Sequence, residues 1–171
     1  MTPWWQEIVQ MIISEFSDIP DLKHATQIII RLAMAAILGG ILGFEREQHG
    51  KSAGLRTHML VALGAAVFVL VPMQAGVANA DLSRVLQGIV AGVGFLGAGT
   101  IIKVSEEKEV KGLTTAAGIW LTAAIGIAAG MGREATAILS TILALVILSA
   151  LLKLEKVFFV EGKDEMKKEL K

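Results

Sequence analysis

Charged and polar side chains crowd one short stretch of an otherwise apolar chain. The run ERE occupies positions 45–47, and the run GLRTH follows at positions 54–58. Such a set can form a polar site at the mouth of a helix bundle, with Glu45 or Glu47 as the carboxylate and Arg56 as its partner. The alternative is that these charges only anchor helix ends at lipid headgroups. On one continuous helix Glu45 and Glu47 point to different faces, which makes them a poor bidentate metal pair.

Arg31 stands alone inside a long apolar stretch. An arginine at the centre of a membrane helix costs about 2.5–3.5 kcal/mol on insertion scales, and less where the side chain reaches the headgroups. We therefore expect either outward snorkelling or a compensating group. Gln27, Gln87 and a backbone carbonyl exposed by the glycine-rich region are the candidates.

Motifs for catalysis are missing from the sequence. The segment GVGFLG at 92–97 matches G-x-G-x-x-G, but it lies in an apolar stretch without a preceding strand, so it predicts close helix packing or a local helix break. The absence of cysteine excludes thiolate sites and Cys nucleophiles. The sequence predicts no enzyme and no cofactor. It leaves a metal site open, although no carboxylate stands inside the apolar stretches to favour a Mg²⁺ pathway.

The composition is that of a membrane protein. Of the 171 residues 54% are hydrophobic, and positive and negative charges are equal at 16 each. The mean hydropathy of +0.64 is high for a soluble domain. With no basic excess, nucleic acid is not an expected partner, whereas the lipid bilayer is.

Five charge-poor stretches of 18 to 20 residues have the length of a bilayer-crossing helix. They predict an all-α polytopic bundle with five transmembrane helices. The stretches lie at 25–44, 55–73, 85–102, 113–131 and 135–154.

The amino-terminal segment is expected to be distinct from the bundle. Residues 4–16 place Trp5, Ile8 and Ile12 at helical spacing, which predicts an amphipathic helix at the membrane interface. An extension of the first span is the alternative, and a cleaved signal peptide is not expected. The predicted organisation is an interfacial segment at 1–24, a transmembrane domain at 25–154 and a charged cytoplasmic tail at 155–171.

Basic residues in the connections predict the orientation. Twelve of them fall on the side of the first and third connections and the carboxyl-terminal tail, against Lys23, Arg84 and Arg133 on the other side. Because basic residues are retained in the cytoplasm, we expect the amino terminus outside and the carboxyl terminus inside.

Glycines are expected to mediate helix packing, since small residues let helix backbones approach closely in lipid. The third stretch holds five glycines and is the predicted centre of packing. Such faces also predict a homo-oligomer or a membrane-protein partner. The candidate packing glycines are Gly39, Gly43, Gly88, Gly92, Gly94, Gly97, Gly99, Gly126 and Gly130.

Several long blocks, in order, resemble the signature of the MgtC/SapB family of bacterial inner-membrane proteins. They are RL at 31–32, GGILGFERE at 39–47, GLRTHMLVALG at 54–64, QGIVAGVGFLGAGTI at 87–101 and GLTTAAGIW at 112–120. The resemblance covers about residues 25–152 and implies a five-span membrane domain. We expect a short member without the carboxyl-terminal cytoplasmic domain of the longer ones.

The resemblance also nominates functional positions and a role. It implies regulation linked to growth at low Mg²⁺ and to virulence, rather than transport. From this we predict a non-enzymatic regulator that acts through helix contacts under ionic or acid stress, with an ion channel or transporter as the alternative. For Thr114 and Thr115, helix capping is a sufficient explanation. The candidate polar positions are Arg31, Glu45, Arg46, Glu47, Arg56, Thr57, His58, Gln87, Thr114, Thr115 and Trp120.

Overall fold

A computed structural model describes residues 3–15, 21–104 and 109–150 of the chain. The predicted tail at 155–171 lies outside these residues. In chain order the elements are α1 (Trp4–Glu15), α2 (Leu22–Gln48), α3 (Leu55–Gln74), α4 (Asn79–Ala98), β1 (Ile102–Val104), β2 (Glu109–Lys111), α5 (Leu113–Gly130) and α6 (Glu134–Leu145), which a π-helical turn (Val146–Ala150) extends.

The fold is helical, as the sequence predicts, and each of the five apolar stretches contains a helix. Within the described residues α2, α3 and α5 are long and apolar enough to cross a membrane. Helix α4 is less apolar because its first turns carry Asp81 and Arg84, and α6 with its extension is a shorter apolar helix. The structure thus supplies three candidate spans, and the predicted five remain an expectation.

A small hairpin follows α4 and begins at Ile102, where the sequence predicted the end of the third apolar stretch. Strands β1 and β2 pair antiparallel, with Ile102 opposite Lys111. Helix α4 ends at Ala98, and the Thr100 hydroxyl donates to the Gly97 carbonyl at 2.8 Å. Gly112 then starts α5 with φ +97°, and a Cβ there would overlap the Thr100 carbonyl oxygen. Only glycine fits this junction without strain.

Helix α3 packs closely between α2 and α5 through glycines of its two neighbours. A Cβ on Gly39 of α2 would lie 2.6 Å from the His58 carbonyl oxygen, and one on Gly130 of α5 would lie 2.6 Å from the Ala66 carbonyl oxygen. These distances are far below van der Waals contact, so the backbones touch where side chains are absent. The core around α3 is accordingly rich in alanine, including the fully buried Ala62.

Helix α4 contacts the bundle through one narrow face, and most of its remaining surface is exposed. Leu82, Ile89, Val93 and Gly97 are its buried residues. A Cβ on Gly88, Gly92 or Gly94 would meet no atom within 4 Å. The sequence predicted the glycine-rich third stretch as the centre of packing, whereas the structure gives that position to α3.

Two features shape the amino-terminal end. Every described residue of α1 is exposed, including Trp4 and Trp5. Asp21 caps α2, because its carboxylate accepts a hydrogen bond of 2.8 Å from the His24 backbone N–H. This bond, and a second one from the His24 ring, lower the pKa of Asp21 below its usual value.

Candidate functional site: a buried ion-pair cluster

The centre of the candidate site is an ion pair between neighbouring residues near the end of α2. Arg46 donates from Nε to Glu45 Oε2 and from Nη2 to Glu45 Oε1, the latter at 2.6 Å. Arg46 is fully buried and Glu45 is 8% exposed. A buried charge without a partner is very costly in free energy. Each of the two side chains is therefore tolerated in the interior only while the other is present.

Two further side chains complete the coordination of Glu45. The His49 ring Nδ1 lies 2.8 Å from the Glu45 backbone oxygen and 3.2 Å from its carboxylate Oε1. Both of these atoms accept, so Nδ1 carries the donated proton. Ser149, in the π-helical turn after α6, donates to Oε1 at 3.2 Å. The carboxylate therefore joins α2 to the last described turn of the chain.

His58 brings α3 to the same region. Its ring Nδ1 lies 3.0 Å from the Gly54 carbonyl oxygen, and the side chain is fully buried. A Cβ on Gly43 of α2 would lie 3.0 Å from the His58 Cβ, so this side chain leaves α3 next to the turn of α2 that holds Glu45 and Arg46. On the other side the ring faces α5, where a Cβ on Gly118 would lie 3.5 Å from His58 Nε2. We refer to Glu45, Arg46, His49, His58 and Ser149 as the buried polar cluster.

Local sequence explains why α2 and α3 meet here. A Cβ on Gly43 would lie 2.7 Å from the Leu55 Cα, so the first turn of α3 lies directly against the α2 backbone. Glu47 accepts a hydrogen bond of 2.8 Å from the Leu55 backbone N–H. This bond satisfies one of the free donors at the start of α3. Glu47 therefore acts as a helix cap, apart from the Glu45 ion pair.

The structure brings Glu45, Arg46 and His58 together but places other candidates elsewhere. Arg56 is exposed, and the partner of Glu45 is Arg46 rather than the Arg56 suggested by the sequence. Gln87 and Trp120 are also exposed, on α4 and α5.

The threonine candidates line two cavities whose walls contain no residue of the buried polar cluster. Thr57 borders a cavity of about 670 Å³ between α3, α4 and α5. Thr114 and the buried Thr115 border a second one, of about 550 Å³, together with Lys51 and Lys111.

Arg31 lies at the opposite end of the α2–α5 contact. Its Nη1 donates to the Gly130 carbonyl oxygen at 3.4 Å. Gly130 ends α5, and carbonyl groups at a helix carboxyl terminus carry partial negative charge. A backbone carbonyl was one of the expected compensating groups, although this one belongs to α5 and not to the glycine-rich α4.

Three residues of the site were missed by reasoning from the sequence. His49 follows Glu45 by four positions, a spacing that signals a contact on a helix. Ser149 and Gly118 offer no local signal, because their contacts depend on how α5 and α6 pack.

The described residues contain no group of three or more His, Asp or Glu side chains placed to hold a metal ion. Glu45 already accepts from Arg46, His49 and Ser149. The ion pair lies within α2, and the Ser149 hydroxyl connects it to the turn after α6.

These features define a class of protein: a membrane protein built on apolar helices that pack through glycines around a buried ion pair. The chain belongs to the MgtC family, whose model matches residues 32–157.

Relatives with known names support this assignment. Protein SrpB of Synechococcus elongatus is 44% identical over 74% of this chain and 76% of its own length. YhiD of Escherichia coli K12, named as a proposed magnesium transporter, is 43% identical over 71% of this chain. Protein MgtC of Salmonella typhimurium LT2 is 44% identical over 68% of this chain. The matched part spans only 59% of YhiD and 49% of MgtC. No solved structure is similar to the chain.

Proposed function

We propose that this chain is a non-enzymatic regulator of the bacterial inner membrane that acts through lateral helix contacts on other membrane systems during Mg²⁺ limitation or acid stress. The observation that carries the proposal is the outward glycine face of α4. A membrane helix that exposes small residues is suited to close approach by another helix.

The face has the form of a shallow apolar groove. Its volume is about 390 Å³, and its wall is almost entirely apolar. Gly88 and Gly92 line part of the groove. Because they have no side chains, they leave the α4 backbone accessible there. We propose a second copy of the chain as the first occupant, which makes the protein a homo-oligomer. The lining residues are Phe68, Val85, Gly88, Ile89, Gly92, Val93 and Leu96.

The proposed link between this chain and magnesium comes from the name of a relative. YhiD is named for magnesium transport, and family membership extends over most of this chain. We propose that this chain is also connected with magnesium, but as a regulator rather than as a transporter. The one buried carboxylate of the cluster is neutralised by Arg46, which lowers its value as a cation ligand.

We propose that the chain crosses the membrane five times. Helices α2, α3 and α5 supply three crossings, and α4 and α6 with its extension supply the others. The exposed tryptophans of α1 favour a position at the headgroup level outside the membrane. The basic connections favour an amino terminus outside and a carboxyl terminus in the cytoplasm.

A second candidate function is ion transport, and the buried polar cluster is the observation that favours it. Ionisable groups inside a membrane bundle often mark ion or proton pathways. Purified protein in liposomes tests this by Mg²⁺ and proton flux, with the cluster variant Glu45→Gln/Arg46→Met and with Arg31→Ala and Gln87→Ala for comparison. Flux that these substitutions abolish would replace the regulatory proposal.

Growth at low Mg²⁺ tests the regulatory proposal directly. A host strain lacking the gene is complemented with the unaltered chain, with Gly92→Leu or with Val90→Leu. Gly92 and Val90 are both exposed and lie about 200° apart around α4, so only the first substitution fills the groove. We expect Gly92→Leu alone to lose complementation at equal membrane abundance. Equal growth of all three strains, or no growth defect in the deletion strain, contradicts the proposal.

A further inference from the structure

The first turn of α5 forms one wall of a polar cavity of about 550 Å³. No side chain of the described residues caps this helix, and the backbone N–H groups of Leu113, Thr114 and Thr115 have no acceptor among those residues. All three residues border the cavity. Because free N–H groups and the helix dipole both attract negative charge, this wall is suited to an anion.

The side chain of Thr115 points to a ligand independently of the helix end. Thr115 is 3% exposed and borders the cavity, yet its hydroxyl makes no hydrogen bond within the part of the chain that the structure describes. The buried hydroxyls of Thr122 and Thr141, in contrast, each donate to the carbonyl four residues earlier. Buried hydroxyls of native proteins are nearly always paired. The Thr115 hydroxyl also keeps a small accessible area, unlike the sealed Arg46 Nη1 and His58 Nε2, so a ligand in the cavity can reach it.

Two lysines make the polar cavity positively charged. Lys51, which follows α2, and Lys111, which ends β2, both border it, and no Asp or Glu is among its described lining residues. Lysine binds phosphate groups as a point charge, and basic pockets between membrane helices bind the headgroups of anionic lipids. The charge and the donors together favour a phosphate group as the ligand.

An apolar cavity of about 670 Å³ adjoins the polar one. Ser52 and Thr100 border both, so the two cavities meet at these residues. The rest of the apolar cavity lies between α3, α4 and α5, and its mostly apolar wall includes Val61, Phe95 and Ile119. A soluble anion makes no contact with such a wall, whereas an acyl chain linked to the phosphate fills it. The pair of cavities therefore matches a phospholipid better than a free phosphate.

The polar cavity also lies at the depth where a lipid headgroup is expected. Lys51 follows the carboxyl end of α2, and Leu113 begins α5. Both helices are long and apolar enough to cross a membrane, so their ends lie near the headgroup layer.

We propose that the polar cavity binds the phosphate group of one anionic phospholipid and that an acyl chain of this lipid occupies the adjoining apolar cavity. The first turn of α5, the Thr115 hydroxyl and Lys51 hold the phosphate. This site does not rest on the proposed function, and its described lining shares only Leu96 with the α4 groove.

Native mass spectrometry of the full chain in a neutral detergent measures lipid binding directly. The probes are dioleoyl phosphatidylglycerol, which is anionic, dioleoyl phosphatidylcholine, which has the same chains without net charge, and glycerol phosphate, which has no chains. We expect one phosphatidylglycerol to bind each chain about 5–25-fold more tightly than phosphatidylcholine, the effect of one or two lysine charges at a membrane surface. We expect millimolar glycerol phosphate not to displace it. Equal affinity for the two lipids, or displacement by glycerol phosphate, overturns the proposal.

Removal of the Thr115 hydroxyl tests where the phosphate binds. Thr115→Val keeps the branched shape of the side chain, and Thr122→Val is the matched control, because Thr122 is equally buried on α5 but borders neither cavity. We expect Thr115→Val to weaken phosphatidylglycerol binding about tenfold, the effect of one lost hydrogen bond to a charged group, and Thr122→Val to leave it unchanged.

An exposed lysine provides a second test that does not depend on a change in the core. Lys51→Gln removes one charge from the polar cavity, and Lys23→Gln removes one from the opposite end of α2. We expect Lys51→Gln to weaken phosphatidylglycerol binding about fivefold and Lys23→Gln to leave it unchanged. Unchanged affinity in both Thr115→Val and Lys51→Gln, or losses of the same size in the two controls, overturns the proposal.

Discussion

Breaking the Glu45–Arg46 ion pair should destabilise the bundle far more than removing it whole. Arg46→Met leaves a carboxylate that is still 10% exposed at its side chain and still contacts His49 and Ser149. Glu45→Gln leaves a guanidinium with no exposed surface and no anionic partner in the described residues. Removing one partner of a buried pair costs about 3–5 kcal/mol. We expect Arg46→Met near the lower end of this range and Glu45→Gln near the upper end.

The double variant Glu45→Gln/Arg46→Met removes both charges and should recover most of the loss. Thermal unfolding in nanodiscs, followed by tryptophan fluorescence, measures all four forms. At about 2–4 °C per kcal/mol for a chain of this size, the single variants should lose roughly 6–20 °C and the double variant only a few degrees. A coupling free energy of about 6–7 kcal/mol is expected, because the single losses together amount to about 8 kcal/mol whereas the double variant should lose only about 1–2 kcal/mol. Single variants within about 0.5 kcal/mol of the unaltered protein, with additive effects, would refute the assignment of a buried pair.

Three other predictions test the packing and the helix cap. Gly126→Ala should destabilise the bundle by about 1–3 kcal/mol, because the new Cβ would overlap the Ala62 carbonyl oxygen, whereas Gly64→Ala, with open space, should not lower the Tm. Gly112→Ala should lower the Tm further than Gly126→Ala, since both would overlap a carbonyl oxygen but only Gly112 also has a left-handed backbone, with φ +97°. Asp21→Ala should lower the Tm at pH 7, because the lowered pKa of Asp21 gives a stabilising contribution that is present above its ordinary value of 3.8. That contribution is lost as the pH falls through the still lower value of the folded state, so acid titration of both proteins should show their Tm values converging below about pH 4.

Much of the helical framework could be predicted from the sequence. Apolar stretches of bilayer length locate α2, α3 and α5 closely, because their length and composition depend on local sequence alone. The hairpin between α4 and α5 could not be found in this way. It depends on Gly112 fitting against the Thr100 carbonyl, a contact between segments that sequence periodicity does not reveal.

The candidate site could be predicted only in part. The crowding of charges at 45–58 points to the region, but neighbouring residues on a helix normally diverge by about 100°, so a pair between Glu45 and Arg46 is not expected. Long flexible side chains bring the two groups together nevertheless. Counting glycines also favoured α4 as the centre of packing. The decisive contacts instead come from Gly39 and Gly126 against α3, because a glycine packs only where a partner helix is present.

The most direct test of lateral association is disulfide formation in native membranes. The chain has no cysteine, so a single introduced thiol can link only to another protein. Gly92→Cys places a thiol in the α4 groove, and Val90→Cys places one on the opposite flank of the same helix. A twofold contact through the groove brings the paired Cα atoms within about 7 Å, the limit for a disulfide. We predict a linked dimer for Gly92→Cys on mild oxidation and monomer for Val90→Cys; monomer for both, or equal dimer for both, would contradict the account.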